Sequence, residues 1–137
     1  MAGIELAAAL DASALLAVLR KEEGAAIVID AIAEGAAISV VNLAEVHSTL
    51  AMDGKDPEEA SAELRKAEGS RRALSIEPLT AADCIEVGKL RPVTKPQGLS
   101  LADRVCLVLA ARLGVPALSG DQKWSEADVK AEVVLIR

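Results

Sequence analysis

Aromatic side chains are almost missing from this 137-residue chain, which has no Phe, no Tyr and a single Trp. The core must therefore be aliphatic, and with 27 alanines much of it is built from small side chains. One His and two Cys are too few for a Cys/His zinc cluster or a disulfide framework. Cys84 and Cys106 both fall in apolar helical patterns, which predicts two buried structural thiols. Long apolar runs are absent too: the longest, Val105 to Ala111, has seven residues, against the roughly 18 that read as a membrane span. No membrane association is expected. Met1 to Leu10 has no Lys or Arg ahead of its apolar stretch and carries Glu5 within it, unlike a secretory signal. The expected location is cytoplasmic. Positive charge is in deficit, with 15 Lys and Arg against 21 Asp and Glu, a net of −6. A chain of this sign does not attract phosphate in general, so any nucleic-acid contact must be local or metal-mediated.

The 52% of residues that are apolar suit one compact domain, 1–137. Strand-like and helical segments alternate along it. Ile4, Leu6, Ala8 and Leu10 alternate inside an almost wholly apolar stretch, as in a strand buried on both faces. Ser13 is placed to cap a helix over Ala14 to Arg20, and Ala25 to Ala33 reads as a second helix between Gly24 and Gly35. A strand over Ala37 to Val40 precedes a helix over Val41 to Met52. Asp56-Pro57 opens a peripheral helix to about Ala67, with Glu58 and Glu59 in its first turn and Leu64 as its one large apolar anchor. The spacing then predicts a strand over Arg72 to Ile76, a helix over Ala81 to Leu90, and a loop with two prolines from Arg91 to Gly98. The most hydrophobic helix follows, Ser100 to Leu113, then a strand at Val115 to Leu118, a short helix at Asp121 to Asp128 and a last strand at Glu132 to Ile136. Such alternation predicts an α/β fold with a parallel sheet of about four to five short strands between layers of helices.

Sites in open α/β sheets form at the carboxyl ends of the strands, which directs attention to acids at strand-to-helix junctions. Asp11 follows the first strand directly, and Asp121 follows Val115 to Leu118 through Ser119-Gly120; each could equally be a helix cap. Asp103 shares a helical stripe with Leu107 and Ala110, so its carboxylate must be hydrogen-bonded, ion-paired or metal-bound. Capping of the first turn is the plain alternative. Glu45 lies on a stripe with Asn42, Ser48, Thr49 and Met52, which by itself reads as a solvated face. Together the four acids suit a hard cation, Mg2+ or Mn2+, because carboxylates without neighbouring Cys or His favour such ions. The matching chemistry is metal-assisted phosphodiester hydrolysis.

At these residues the sequence resembles the PIN-domain ribonucleases, in particular the VapC-type toxins of prokaryotic toxin-antitoxin pairs. Leu10-Asp11-Ala12-Ser13-Ala14-Leu15-Leu16 is similar to the family's opening motif, and Ser39 to Val46 to its second acidic block. Gly98 to Leu107 is similar to the third block and Leu118 to Trp124 to the fourth. The resemblance implies a PIN-like three-layer α/β/α fold and a metal-binding, catalytic quartet of Asp11, Glu45, Asp103 and Asp121, with Ser13, Asn42 and Ser119 as polar support. It further implies an RNA substrate, a cognate VapB-type antitoxin that places a basic side chain near the acidic pocket, and a homodimer. Arg91, Lys95, Arg104 and Lys123 are candidate phosphate contacts. Trp124 is expected to anchor its short helix, and His47, two residues from Glu45 on a helix, to be an ordinary surface or interface residue. Two other readings stand beside the nuclease. One is a catalytically inactive PIN-fold binding or scaffold module. The other is an aspartyl phosphotransfer protein, weakened because the dehalogenase-like phosphatases need a second Asp where this chain has Ser13.

Overall fold

In the computed structural model, which describes residues 5–67 and 74–137, the chain builds five strands and six α-helices. They run β1 (Ala8–Leu10), α1 (Ala12–Arg20), α2 (Ala25–Glu34), β2 (Ala36–Ser39), α3 (Val40–Met52) and α4 (Pro57–Ala67). After these come β3 (Leu74–Glu77), α5 (Ala81–Thr94), α6 (Leu101–Leu113), β4 (Ala117–Ser119) and β5 (Val133–Leu135), with 3-10 turns at Lys95–Gln97 and Gln122–Glu126. The strands form one sheet in the order β3-β2-β1-β4-β5, and every neighbouring pair is parallel. From β1 the chain winds outward through β2 to β3, and β4 returns to the other side of β1. The β1/β4 boundary is thus where the winding reverses, and there the crevice at the strands' carboxyl ends opens.

Alternation along the strands separates two cores, which makes the fold three-layered. Ala8, Leu10, Ala36, Ile38 and Leu118 face α1 to α4, where they pack with Leu15, Leu16, Val28, Val46, Leu50 and Ala60. Ala9, Ala37 and Ala117 face the opposite way, against Cys106, Leu107, Leu109 and Ala110 of α6 and the buried Trp124. Three alanines under α6 let that helix close onto the sheet, and each large aliphatic side chain buried there contributes about 1.5–3 kcal/mol relative to exposure. Val87 joins Val105 and Val108 in a third cluster that seats α5 on α6. Helix α6 stops at Gly114, whose φ of 69° suits glycine. The amide of Val115 donates to Ala110 O at 3.0 Å and that of Gly114 to Ala111 O at 3.3 Å, the two bonds of a Schellman end.

Several boundaries differ from those the sequence predicts. Helix α1 starts at Ala12, because Asp11 rather than Ser13 caps it: the Asp11 side chain accepts from Ala14 N at 2.8 Å. Helix α5 runs on through Pro92 to Thr94. Pro92 and Gly88, whose carbonyl loses its helical donor, are both exposed, so water can replace the lost bond. The buried Thr94 holds the last turn, donating its hydroxyl to Leu90 O at 2.8 Å. The segment after Asp121 is a 3-10 helix over Gln122–Glu126 rather than a longer α-helix. Cys106 is buried as expected, but Cys84 is exposed on the outer side of α5. Ile4 and Arg72, the predicted starts of β1 and β3, lie outside the described residues. Helix α4 opens as predicted, with Asp56 accepting from Glu58 N at 3.0 Å; Ala60, as well as Leu64, seats it. Among the described residues no helix is long and apolar enough to cross a membrane.

Candidate active site

The four acids come from four elements. Asp11 sits at the β1–α1 junction, Glu45 in the second turn of α3, Asp103 in the first turn of α6, and Asp121 just beyond β4. The register sets Leu10 beside both Ile38 and Leu118, and the amide of Asp11 donates to Leu118 O at 3.2 Å, so the adjacent strands deliver their carboxyl ends to one level. All four side chains line a single cleft of about 220 Å3, together with Ala12, Ser13, Leu16 and Thr49.

Asp11 is the deepest of them, with 4% of its surface exposed. One oxygen accepts from Ala14 N at 2.8 Å and from the Ser13 hydroxyl at 2.7 Å; the other accepts from the Ser119 hydroxyl at 2.6 Å. Each serine has one hydroxyl hydrogen to give. The Ser13 oxygen also accepts from Gly120 N at 2.8 Å and the Ser119 oxygen from Asp121 N at 3.0 Å, which leaves both hydroxyl hydrogens for Asp11. Ser13 and Ser119 thus splice the β4 loop to the β1 junction through the carboxylate they hold. An ionised carboxylate has about four acceptor positions and these three donors fill three, leaving one. Desolvation raises the Asp11 pKa above its ordinary value; the hydrogen bonds from Ser119, Ser13 and Ala14 pull it back, and the charge of Asp103 pushes it up further.

Glu45 stands at the rim, largely exposed as a residue. Its carboxyl is nonetheless partly desolvated, and this, with the charges of Asp103 and Asp11, raises its pKa. The sequence alone makes Glu45 a solvated residue; the fold turns its stripe toward the cleft, bringing Thr49 four residues on with it. Asp103 closes a capping box: its carboxylate accepts from Ser100 N at 2.8 Å, and its amide donates to Ser100 Oγ at 3.1 Å. Asp121 caps the following 3-10 helix, accepting from Lys123 N at 3.0 Å, and has Lys123 Nζ at 3.9 Å. Capping and cleft-lining are therefore not alternatives. Helix starts hold Asp11, Asp103 and Asp121, and the donors and dipoles there offset part of their mutual repulsion. Asn42, buried in the first turn of α3, donates to Ala102 O at 3.0 Å and so ties the helix of Glu45 to that of Asp103.

Arg104 is not placed for substrate. It is 8% exposed and donates from Nη1 to Val87 O at 3.0 Å, inside the α5–α6 seam. Arg91, Lys95 and Lys123 are exposed. His47 is half-buried on α3 and lies outside the cleft lining. Trp124 is fully buried in the core under α6 and anchors its short helix as expected. The Cys106 thiol is pushed up in pKa by burial and by the charges of Asp11 and Asp103, so it stays protonated and inert. Ser100 was missed by sequence reasoning, although Ser-x-x-Asp is a readable capping signal.

The donor set suits a hard divalent cation: carboxylate oxygens only, one acceptor position still open on Asp11, and two carboxyls whose pKa values are raised first by desolvation and further by neighbouring negative charge that a cation would offset. As placed, no three His, Cys, Asp or Glu side chains among the described residues are gathered tightly enough to hold an ion.

The sequence matches the PIN domain over residues 8–130. No curated protein matches it. The structure is similar to that of a VapBC2 complex from Rickettsia felis bound to a promoter DNA fragment, with a TM-score of 0.71 and 16% identity over 93% of this chain and 97% of that one. It is also similar to VapC20 of Mycobacterium tuberculosis, a sarcin-ricin loop cleaving toxin, with a TM-score of 0.71 and 17% identity over 90% and 96% of the two chains. A toxin-antitoxin complex from Klebsiella pneumoniae gives a TM-score of 0.68 and 15% identity over 96% and 98%. At such identities the likeness is one of fold.

Proposed function

The chain belongs to the PIN-domain family, and on that premise we propose that it is a metal-dependent endoribonuclease toxin of the VapC type, neutralised by a cognate VapB-type antitoxin. One observation carries the reading: four carboxylates from four separate elements line one cleft at the point where the sheet's winding reverses. A scaffold has no use for so much unbalanced charge, whereas a hydrolase that recruits a cation does.

Asp11, Glu45, Asp103 and Asp121 would hold the ion, Mg2+ or Mn2+. When bound, it supplies the positive charge that activates water and offsets charge on the leaving oxygen of a phosphodiester. Ser13 and Ser119 fix the orientation of Asp11, and Asn42 keeps the Glu45 and Asp103 helices in register. Lys123 at the cleft edge, with Arg91 and Lys95, offers local phosphate contacts to a chain whose net charge otherwise repels RNA. The same cleft, empty of cations, attracts a basic side chain from the antitoxin, most strongly at low salt. The homodimer and the cytoplasmic location belong to this reading as well. Its test is cleavage of a mixed RNA pool by wild type and Asp103→Asn, with manganese and with chelator. Cleavage only by wild type with metal supports it; metal-independent or equal cleavage refutes it.

A further inference from the structure

Between β4 and the 3-10 helix the chain takes one step, Ser119-Gly120-Asp121, and the direction of the Asp121 carboxylate depends on how that step is held. Its inner side is fixed by the two serine hydroxyls already described. Its outer side is covered by Arg137. A Cβ placed on Gly120 would lie 2.8 Å from Cζ, 2.8 Å from Nη2 and 3.0 Å from Nε of Arg137. Nearly equal distances to three atoms of a planar group mean an approach to its face, so the guanidinium lies flat on Gly120. The backbone there is not left-handed, unlike that of Gly24, Gly54, Gly98 and Gly114. The absence of a side chain at Gly120 therefore matters for the space the guanidinium takes rather than for backbone conformation.

The fork is anchored at its far end. Nη1 of Arg137 donates to Glu23 O at 3.1 Å and stands 3.8 Å from the Glu22 carboxylate, in the turn between α1 and α2. The carbonyl of Arg137 accepts from the side-chain amide of Gln122, the residue after Asp121. We propose that Arg137 is a positioning residue: its guanidinium, laid on Gly120 and anchored at Glu22 and Glu23, clamps the Ser119–Asp121 step so that Asp121 faces the cleft it shares with Asp11. The consequence for the cation rests on the proposed function; the clamp itself does not. Lysine cannot replace it, because an ammonium carries the charge without the flat fork.

Four full-length variants test this: Gly120→Ala, Arg137→Ala, Arg137→Lys and the Gly120→Ala/Arg137→Ala double. Gly120→Ala displaces only the far end of a flexible side chain, so it keeps the fold even if Arg137→Ala does not. In metal-free protein, amide hydrogen exchange at residues 120 and 121 should quicken several-fold in every variant while Leu10 and Ile38 are unchanged. The double variant should be no faster than Arg137→Ala, since both substitutions remove the same contact. Calorimetric titration with manganese should show affinity falling about 10-fold in each, as for other groups that orient a ligand. Unchanged exchange in Gly120→Ala and Arg137→Ala, or full rescue by Arg137→Lys, would overturn the clamp. If the amides respond as expected and wild type binds no manganese, the clamp stands and the cation reading is the one that fails.

Discussion

Asp11 shows how one residue serves structure and site together. It caps α1, anchors two serines and lines the cleft, and burial raises its pKa. Glu45 is shifted the same way, so the metal-free folded state binds more protons than the unfolded chain in the range above the ordinary values of 3.8 and 4.5. Stability therefore falls as pH rises through the shifted pKa values and is regained as pH drops toward the ordinary ones. Melting wild type and Asp11→Asn in chelator across that range should show wild type gaining on the variant as pH falls; a constant difference would contradict the desolvation argument. Asp103 separates cap from charge. Asp103→Asn keeps an oxygen for Ser100 N and removes a repelling charge, so in chelator it should melt at or above wild type. Asp103→Ala loses the capping box and should cost about 1 kcal/mol. A drop as large for Asn as for Ala would show that the carboxylate's charge is needed structurally.

At the scale of elements, most of the pattern was legible in the sequence because strand and helix periods differ so plainly. Ala8 to Leu10, with a side chain for each core, and the α6 stripe could be read directly. The ends were not, since a cap is decided by which of two neighbouring polar residues reaches the amide; at α1 it is Asp11 and not Ser13. The sequence places Pro92 in a loop after Leu90, but the buried Thr94 holds that turn as helix against the break. Cys84 and Arg104 depart from expectation for one reason: the sequence around them does not say which face of α5 or α6 meets the other. Arg104 now yields its own prediction. Its guanidinium is buried with one neutral acceptor, and among the described residues no carboxylate lies at ion-pair distance. Replacing a buried charge by an apolar side chain of similar length is commonly neutral or stabilising by about 1–4 kcal/mol. Arg104→Met should therefore unfold in urea at or above the wild-type midpoint; a fall of more than about 1 kcal/mol would show that the Val87 contact outweighs the cost of burial.

For the whole molecule, the sequence could name four acids but not bring Glu45 to the others, because the strand order β3-β2-β1-β4-β5 that converges them is long-range. A protein of net charge −6 concentrating four carboxylates in one cleft is poised for a cation from outside. If that cation drives RNA cleavage, expressing the chain alone should arrest a bacterial host, and Asp121→Asn should relieve the arrest; equal arrest by the variant would point to an effect of the folded surface instead. Both cleavage and arrest depend on the cleft binding a divalent ion. Thermal unfolding of wild type and of Asp121→Asn, each with manganese and with chelator, tests it most directly. Wild type should gain about 2.7 kcal/mol at a manganese concentration 100 times the dissociation constant, while the variant keeps little of that gain. No manganese shift in wild type, or the same shift in both proteins, would contradict it.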